Sequence, residues 1–144
     1  MYQITELTTK EQMLEQLPII QQLYPEFTLE IYESLLLRMI PHNYKQLIVT
    51  LEGKTIGLSG FWIGVKLWCG KYLELDNVVV HPDFRSKGIG SLLTNKLNDI
   101  AVANDCNMMA LDAYTSNFGA QKFYFNHGFV PKGFHFIKYL KEQP

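Results

Sequence analysis

Residues 73–93 limit what this chain can fold into more than any other stretch. They read Leu-Glu-Leu-Asp-Asn-Val-Val-Val-His-Pro-Asp-Phe-Arg-Ser-Lys-Gly-Ile-Gly-Ser-Leu-Leu. A valine-rich strand, expected from about 71 to 80, runs into Pro82, and a short basic turn opens directly into a helix. That helix, from 88 to about 104, carries Ile89, Leu92, Leu93, Leu97 and Ile100 at helical spacing. Met108–Ala113 reads as another strand. A strand–helix–strand unit of this kind is a crossover, so the fold is α/β, with a parallel or mixed sheet covered by helices.

The turn also has a chemical reading. A helix start offers unpaired N–H groups and the positive end of the macrodipole. Gly88 and Gly90 let a ligand come close to the backbone, and Arg85 and Lys87 add charge. This is the layout of a pocket for a ligand bearing phosphates. Two common phosphate motifs do not apply. G-x-x-x-x-G-K-[ST] fails because Lys87 precedes Gly88, and G-x-G-x-x-G fails at Leu93.

The remaining elements follow from periodicity and punctuation. Residues 2–7 form a short strand. Thr8 or Thr9 caps a helix reaching about Tyr24, with Met13, Leu14, Leu17 and Ile20 on one face and a kink at Pro18. Thr28 caps a second helix to Ile40, whose apolar face is Ile31, Leu35 and Met39, widened by Tyr32, Leu36 and Ile40. Strands at 45–51 and 55–65 are joined by the turn Glu52-Gly53-Lys54. Gly57, Gly60 and Gly64 mark a bulge or a close backbone approach in the second of these. Residues 66–70 are a loop. A helix at 117–127 and a last strand at 129–140, bent around Pro131 and Gly133, complete the order β-α-α-β-β-β-α-β-α-β.

Composition narrows the function. The 144 residues fit a single domain spanning 1–144. A net charge of −1 without runs of like charge argues against nucleic acid and against an anionic membrane surface. No apolar stretch approaches spanning length. Glu6, Lys10, Glu11 and Glu15 do not fit a signal peptide. Cys69 and Cys106 form neither a disulfide framework nor a metal spacing, so a cytoplasmic protein with reduced thiols and no metal is expected.

Two motifs carry a resemblance. Arg85-x-x-Gly88-x-Gly90 is similar to the acyl-CoA pyrophosphate loop of the GNAT superfamily of N-acetyltransferases, [RQ]-x-x-G-x-[GA]. Residues 117–129 match that family's N-x-x-A-x-x-[FL]-Y-x-x-x-G-[FY] segment at Asn117, Ala120, Phe123, Tyr124, Gly128 and Phe129. Ser86 departs from the pattern, since many relatives carry glycine there. The resemblance covers about 45–140. It implies a central, mostly antiparallel sheet with one splayed parallel pair, here 71–80 and 107–113, flanked by helices. It also implies acetyl-CoA as cosubstrate, its pantetheine arm lying in the splay like an added strand. Residues Arg85, Ser86, Lys87, Gly88, Ile89, Gly90 and Ser91 would then hold the pyrophosphate, mainly through N–H groups. The backbone of Val78, Val79 and Val80 would bind pantetheine and the carbonyl oxygen. Asn117 either reaches CoA or only caps its helix.

Acetyl transfer to an amine needs a proton acceptor, an N–H aimed at the developing oxyanion, and a proton for the departing thiolate. Resemblance assigns the last to Tyr124; by spacing alone, Tyr124 shares an apolar helix face with Ala120, Phe123 and His127. Glu74 and Asp76 share one face of a strand that Val78 and Val80 continue. Carboxylates among valines are costly unless paired, hydrated or used, and burial would raise their pKa to suit a base. The sequence does not choose between Glu74 and Asp76. None of the four histidines has a convincing partner by spacing. Trp62, Trp68, Tyr24, Phe27 and Tyr32 are core or covering residues before they are an acceptor pocket. A small-molecule primary amine is the favoured acceptor. A protein or peptide acceptor, or a non-catalytic acyl-CoA sensor, is the alternative. A homodimer is compatible with the resemblance and is not required by it.

Overall fold

Five strands form one sheet in the order β1-β2-β3-β4-β5: β1 (Tyr2–Leu7), β2 (Tyr44–Leu51), β3 (Lys54–Lys66), β4 (Gly70–Val80) and β5 (Met108–Ala110). Neighbours from β1 to β4 are antiparallel, and β4–β5 is parallel. The crossover between those two contains α4 (Ile89–Ala103), as the strand–helix–strand reading requires. The computed structural model describes residues 1–142 and falls into two units, Met1–Leu111 and the segment from Asp112 onward.

In the first unit, helices cover both faces of the sheet. Thr9 caps α1 (Lys10–Leu14) in a reciprocal capping box with Gln12. The single kinked helix expected to Tyr24 is instead two short ones, α1 and α2 (Leu17–Ile20). Pro18 lies in the first turn of α2 and has no N–H to bond back to Leu14, so the break falls ahead of it. Thr28 caps α3 (Leu29–Met39) by accepting the Ile31 N–H at 3.2 Å. The buried face of α3 centres on Tyr32 and Leu36, while Ile31 is exposed.

These helices pack with Leu7, Tyr44, Ile48, Leu58 and Val79 of the sheet. On the opposite face, α4 buries Ile89, Leu93, Leu97 and Ile100. Gly57 permits that approach, because a Cβ there would lie 2.5 Å from Ile89 Cγ2.

In the second unit, α5 (Phe118–Asn126) begins at Asn117, whose Oδ1 accepts the Ala120 N–H at 3.0 Å. It ends in a Schellman arrangement. Gly128 has φ +87°, its N–H bonds Phe125 C=O at 3.1 Å, and Phe129 N–H bonds Tyr124 C=O at 3.0 Å. The last strand expected at 129–140 does not form, and 129–142 contain no regular element. Pro131 lacks a ladder donor and Gly133 offers no side chain to pack, so this stretch is a weak strand former. β5 also stops at Ala110, short of the expected Ala113.

Candidate active site

The parallel pairing of β4 with β5 is brief. Tyr72, Leu73 and Glu74 face Met108, Met109 and Ala110, and no described strand pairs with that edge of β4 beyond Glu74. The edge opens where the splay is expected.

A bulge sits inside the open stretch. Asp76 faces Gly60 and Val79 faces Leu58, so Asn77 and Val78 together oppose Ser59. Asn77 adopts φ +55°, a region asparagine tolerates better than most residues. The extra residue switches the backbone phase. Lys71 C=O accepts the Asn107 N–H at 2.7 Å, so Lys71, Leu73 and Leu75 present backbone groups toward β5. His81 N–H donates to Ile56 C=O of β3 at 2.8 Å. Alternation back from His81 then turns Val80 and Val78 toward the open edge.

The bulge also corrects the side-chain reading. Val78 and Val80 do not continue the face of Glu74 and Asp76. Val80 pairs with Gly57 on the α4 side, and Val79 joins Leu58 in the cluster under α1–α3. Asp76 lies on that second side, where its Oδ2 accepts the Trp62 indole N–H at 2.9 Å. Glu74 faces Trp62 across the ladder and is half-buried, as is Asp76.

Five side chains beneath this face form a polar network. Tyr44 donates its hydroxyl proton to Asn77 Oδ1 (2.9 Å), and Asn77 Nδ2 donates to the Tyr24 hydroxyl (2.9 Å). Gln46 Nε2 donates to the hydroxyls of Tyr32 (2.8 Å) and Tyr44 (3.2 Å). Burial pushes the Tyr32 phenol up to about 12 and the Tyr44 phenol higher still, so both hold their protons. Tyr24 stacks on Phe27 at 4.7 Å, and Tyr44 tilts against Trp62 at 4.9 Å. Tyr32 is a core residue here, and Trp68 is exposed.

The basic turn follows β4. Arg85, Ser86, Lys87 and Gly88 are exposed, Ile89 is buried, and Gly90 and Ser91 are half-buried in the first turn of α4. The first helical bond runs from Leu92 N–H to Gly88 C=O at 3.1 Å, so the N–H groups of Ile89 and Gly90 lie ahead of the ladder. Ser86, the departure from the glycine pattern, sits at φ +62°, the conformation that favours glycine. Phe84 holds Lys87 Nζ at 5.3 Å and Lys54 Nζ at 6.0 Å from its ring, which adds a cation to the turn's surroundings.

In the second unit, the ring of Tyr124 contacts Phe123 at 5.2 Å and Phe129 at 5.6 Å. Burial raises its phenol above the ordinary tyrosine value. The 117–129 motif thus has a local physical content: Asn117 caps α5, Gly128 ends it, and Phe129 packs on Tyr124. No cluster of metal-ligating side chains exists among the described residues.

Comparison with known proteins identifies the arrangement. The model of the acetyltransferase (GNAT) family matches residues 10–129. The chain belongs to the GNAT family of acetyltransferases. Within it, the chain is 27% identical over 145 residues to the uncharacterized N-acetyltransferase YhdJ of Bacillus subtilis (strain 168), covering 100% of this chain and 99% of that protein. It is 25% identical over 93 residues to the human spermidine/spermine N(1)-acetyltransferase-like protein 1. That match covers 62% of this chain and only 13% of the human protein's length. Among solved structures, aminoglycoside N-acetyltransferase AAC(6')-Iy in complex with CoA superimposes with a TM-score of 0.81 at 21% identity, over 99% of this chain and 96% of that one. The GNAT fold of this chain is therefore the mixed, mostly antiparallel sheet with one parallel pair and flanking helices.

Asn77, Tyr44 and Lys54 are the site-proximal residues that sequence reasoning missed. The one signal for Asn77 was an asparagine inside a valine-rich strand.

Proposed function

We propose that this GNAT protein is one N-acetyltransferase domain over 1–144 that transfers acetyl from acetyl-CoA, bound as cosubstrate, to the primary amine of a small molecule. The observation that carries the reading is the open β4 edge, where the bulge at Asn77 turns Val78 and Val80 N–H groups outward just before the Arg85–Gly90 turn. An extended pantetheine arm needs such an unpaired strand edge, and its pyrophosphate needs a helix start such as that of α4.

The residues divide the work. Glu74 or Asp76 accepts a proton from the ammonium, directly or through water, so that the amine can attack the thioester carbon. The backbone N–H groups of Val78 and Val80 face the carbonyl oxygen as it gains charge, while Val79, expected with them, turns its backbone to β3. The C–S bond breaks, the Tyr124 phenol, kept protonated by burial, gives its proton to the leaving thiolate, and the remaining extra proton of the acylated nitrogen is lost to restore the phenol. Residues 85–91 hold the phosphates, with the N–H groups of the turn doing more than Arg85 and Lys87. The acceptor side is aromatic and acidic, with Trp62, Glu74 and Asp76 on one face, which suits a compact organic cation.

The test is release of free CoA thiol from acetyl-CoA across amines, amino acids, polyamines and short peptides, with Glu74→Gln and Asp76→Asn alongside. Turnover with one amine class, lowered by at least one carboxamide variant, supports the reading. Retained CoA binding without turnover by any amine contradicts it.

A further inference from the structure

We propose that Asn77 is a positioning residue for acetyl transfer, linking the acceptor-side segment to the backbone groups that receive the acetyl carbonyl. The inference rests on the function proposed above. Asn77 does not touch the reacting atoms; it acts through the neighbours whose direction it sets. Its φ of +55° places the extra residue that brings Val78 and Val80, rather than Asn77 and Val79, to the open edge. Backbone preference alone does not hold an asparagine there, since asparagine also adopts ordinary strand angles.

The side-chain bonds supply the direction. Both N–H bonds of Gln46 go to tyrosine oxygens, Tyr32 and Tyr44. Tyr44 can therefore spend its single proton only on Asn77 Oδ1, which orients the Asn77 amide so that Nδ2 faces Tyr24. Gln46 and Tyr44 are 0% and 2% exposed, so water does not substitute for these partners. Gln46 Oε1 is buried with no hydrogen-bond partner. Turning the amide over would instead leave Nε2 buried without an acceptor, so the observed orientation, with Nε2 on the two tyrosine oxygens and the Tyr44 proton on Asn77, is the one kept. The far end of the clamp is Tyr24, in the connection between α2 and α3, stacked on Phe27.

The experiment compares wild type with Asn77→Gly, Asn77→Ala and Tyr24→Phe. Glycine retains access to positive φ without the side-chain bonds, alanine loses both, and Tyr24→Phe removes the hydroxyl that accepts from Asn77 Nδ2. Steady-state kcat and KM are read for acetyl-CoA and the best amine. Hydrogen exchange of the Val79 and His81 amides, which face β3 just past the bulge, is read by NMR without substrate. The expected result is a kcat loss of at least tenfold for both Asn77 variants, about threefold or more for Tyr24→Phe, KM for the amine within about threefold, and exchange at 79 and 81 at least tenfold faster in the Asn77 variants. Unchanged exchange in both Asn77 variants, or kcat within twofold of wild type, overturns the proposal. A uniform loss of melting temperature and active fraction without the kcat-against-KM split also overturns it, since that is a merely structural role. Absence of wild-type turnover sinks the functional reading separately, because amide exchange in the free protein still reports on the clamp.

Discussion

Gly60 sits opposite Asp76, beside the bulge, and a single methyl group there tests the packing on which the open edge depends. A Cβ at Gly60 would lie 2.8 Å from Asn77 Oδ1 and closer still to the Tyr44 hydroxyl oxygen. Tyr44 is 2% exposed and its ring is tilted against Trp62, so it cannot swing away without opening the core. Forcing one extra carbon into such a site costs about 1–3 kcal/mol. Losing the Tyr44–Asn77 hydrogen bond adds about 1 kcal/mol. Gly60→Ala should therefore destabilise the protein by about 2–4 kcal/mol in urea unfolding. At about 2–4 °C per kcal/mol, the melting temperature falls by roughly 5–15 °C. Tyr44→Phe removes the oxygen that the new methyl strikes, so Gly60→Ala should cost about 1 kcal/mol less in that background. A loss below about 0.5 kcal/mol, the scale of an ordinary surface change, refutes the reasoning. So does an equal loss in both backgrounds.

Three further outcomes are expected. Tyr124→Phe should lower kcat by about 10²–10⁴, the range for a positioned general acid, with the KM for acetyl-CoA little changed in the thiol-release assay. Gly128→Ala should destabilise the C-terminus of α5 by about 1–2 kcal/mol in denaturant unfolding, because an L side chain at φ +87° is strained. Tyr32 has a folded pKa pushed above its unfolded value, from 10.0 to about 12, so its contribution is intact below pH 10 and is lost as pH rises through 12. That shift corresponds to about 3 kcal/mol, so Tyr32→Phe should flatten the fall in urea-unfolding stability over this window. An equal fall in wild type and variant would contradict the assignment.

The sequence made legible what local chemistry determines. The crossover at 71–113 was readable because a proline-terminated strand, a glycine turn and a helical apolar stripe follow one another without interruption. Thr9, Thr28 and Asn117 cap helices because short polar side chains satisfy orphan N–H groups wherever a helix begins. The bulge was not legible, because its cause is not local. Asn77 is held by Tyr44, 33 residues away, and by Tyr24, 53 residues away. Missing that one inserted residue put Val78 and Val80 on the wrong face. The glycines of β3 were read as marking a bulge or a close backbone approach, and both occur: β3 carries an extra residue, Ile56, beside Gly57, Gly57 makes room for Ile89, and Gly60 faces the bulge on β4. The α1–α2 break moved ahead of Pro18 because the missing N–H acts four residues upstream. The absent last strand shows that alternating aromatics, with Phe134 and Phe136 exposed, do not make a strand by themselves.

The central claim is acetyl transfer to an amine, and mass-spectrometric product analysis tests it most directly. Wild type and Tyr124→Phe are incubated with acetyl-CoA and the amine giving the fastest thiol release. The account predicts equal yields of free CoA thiol and N-acetylated amine from wild type, with both falling together in the variant. Thiol release without acetylated amine, or identical yields from the two proteins, would contradict it.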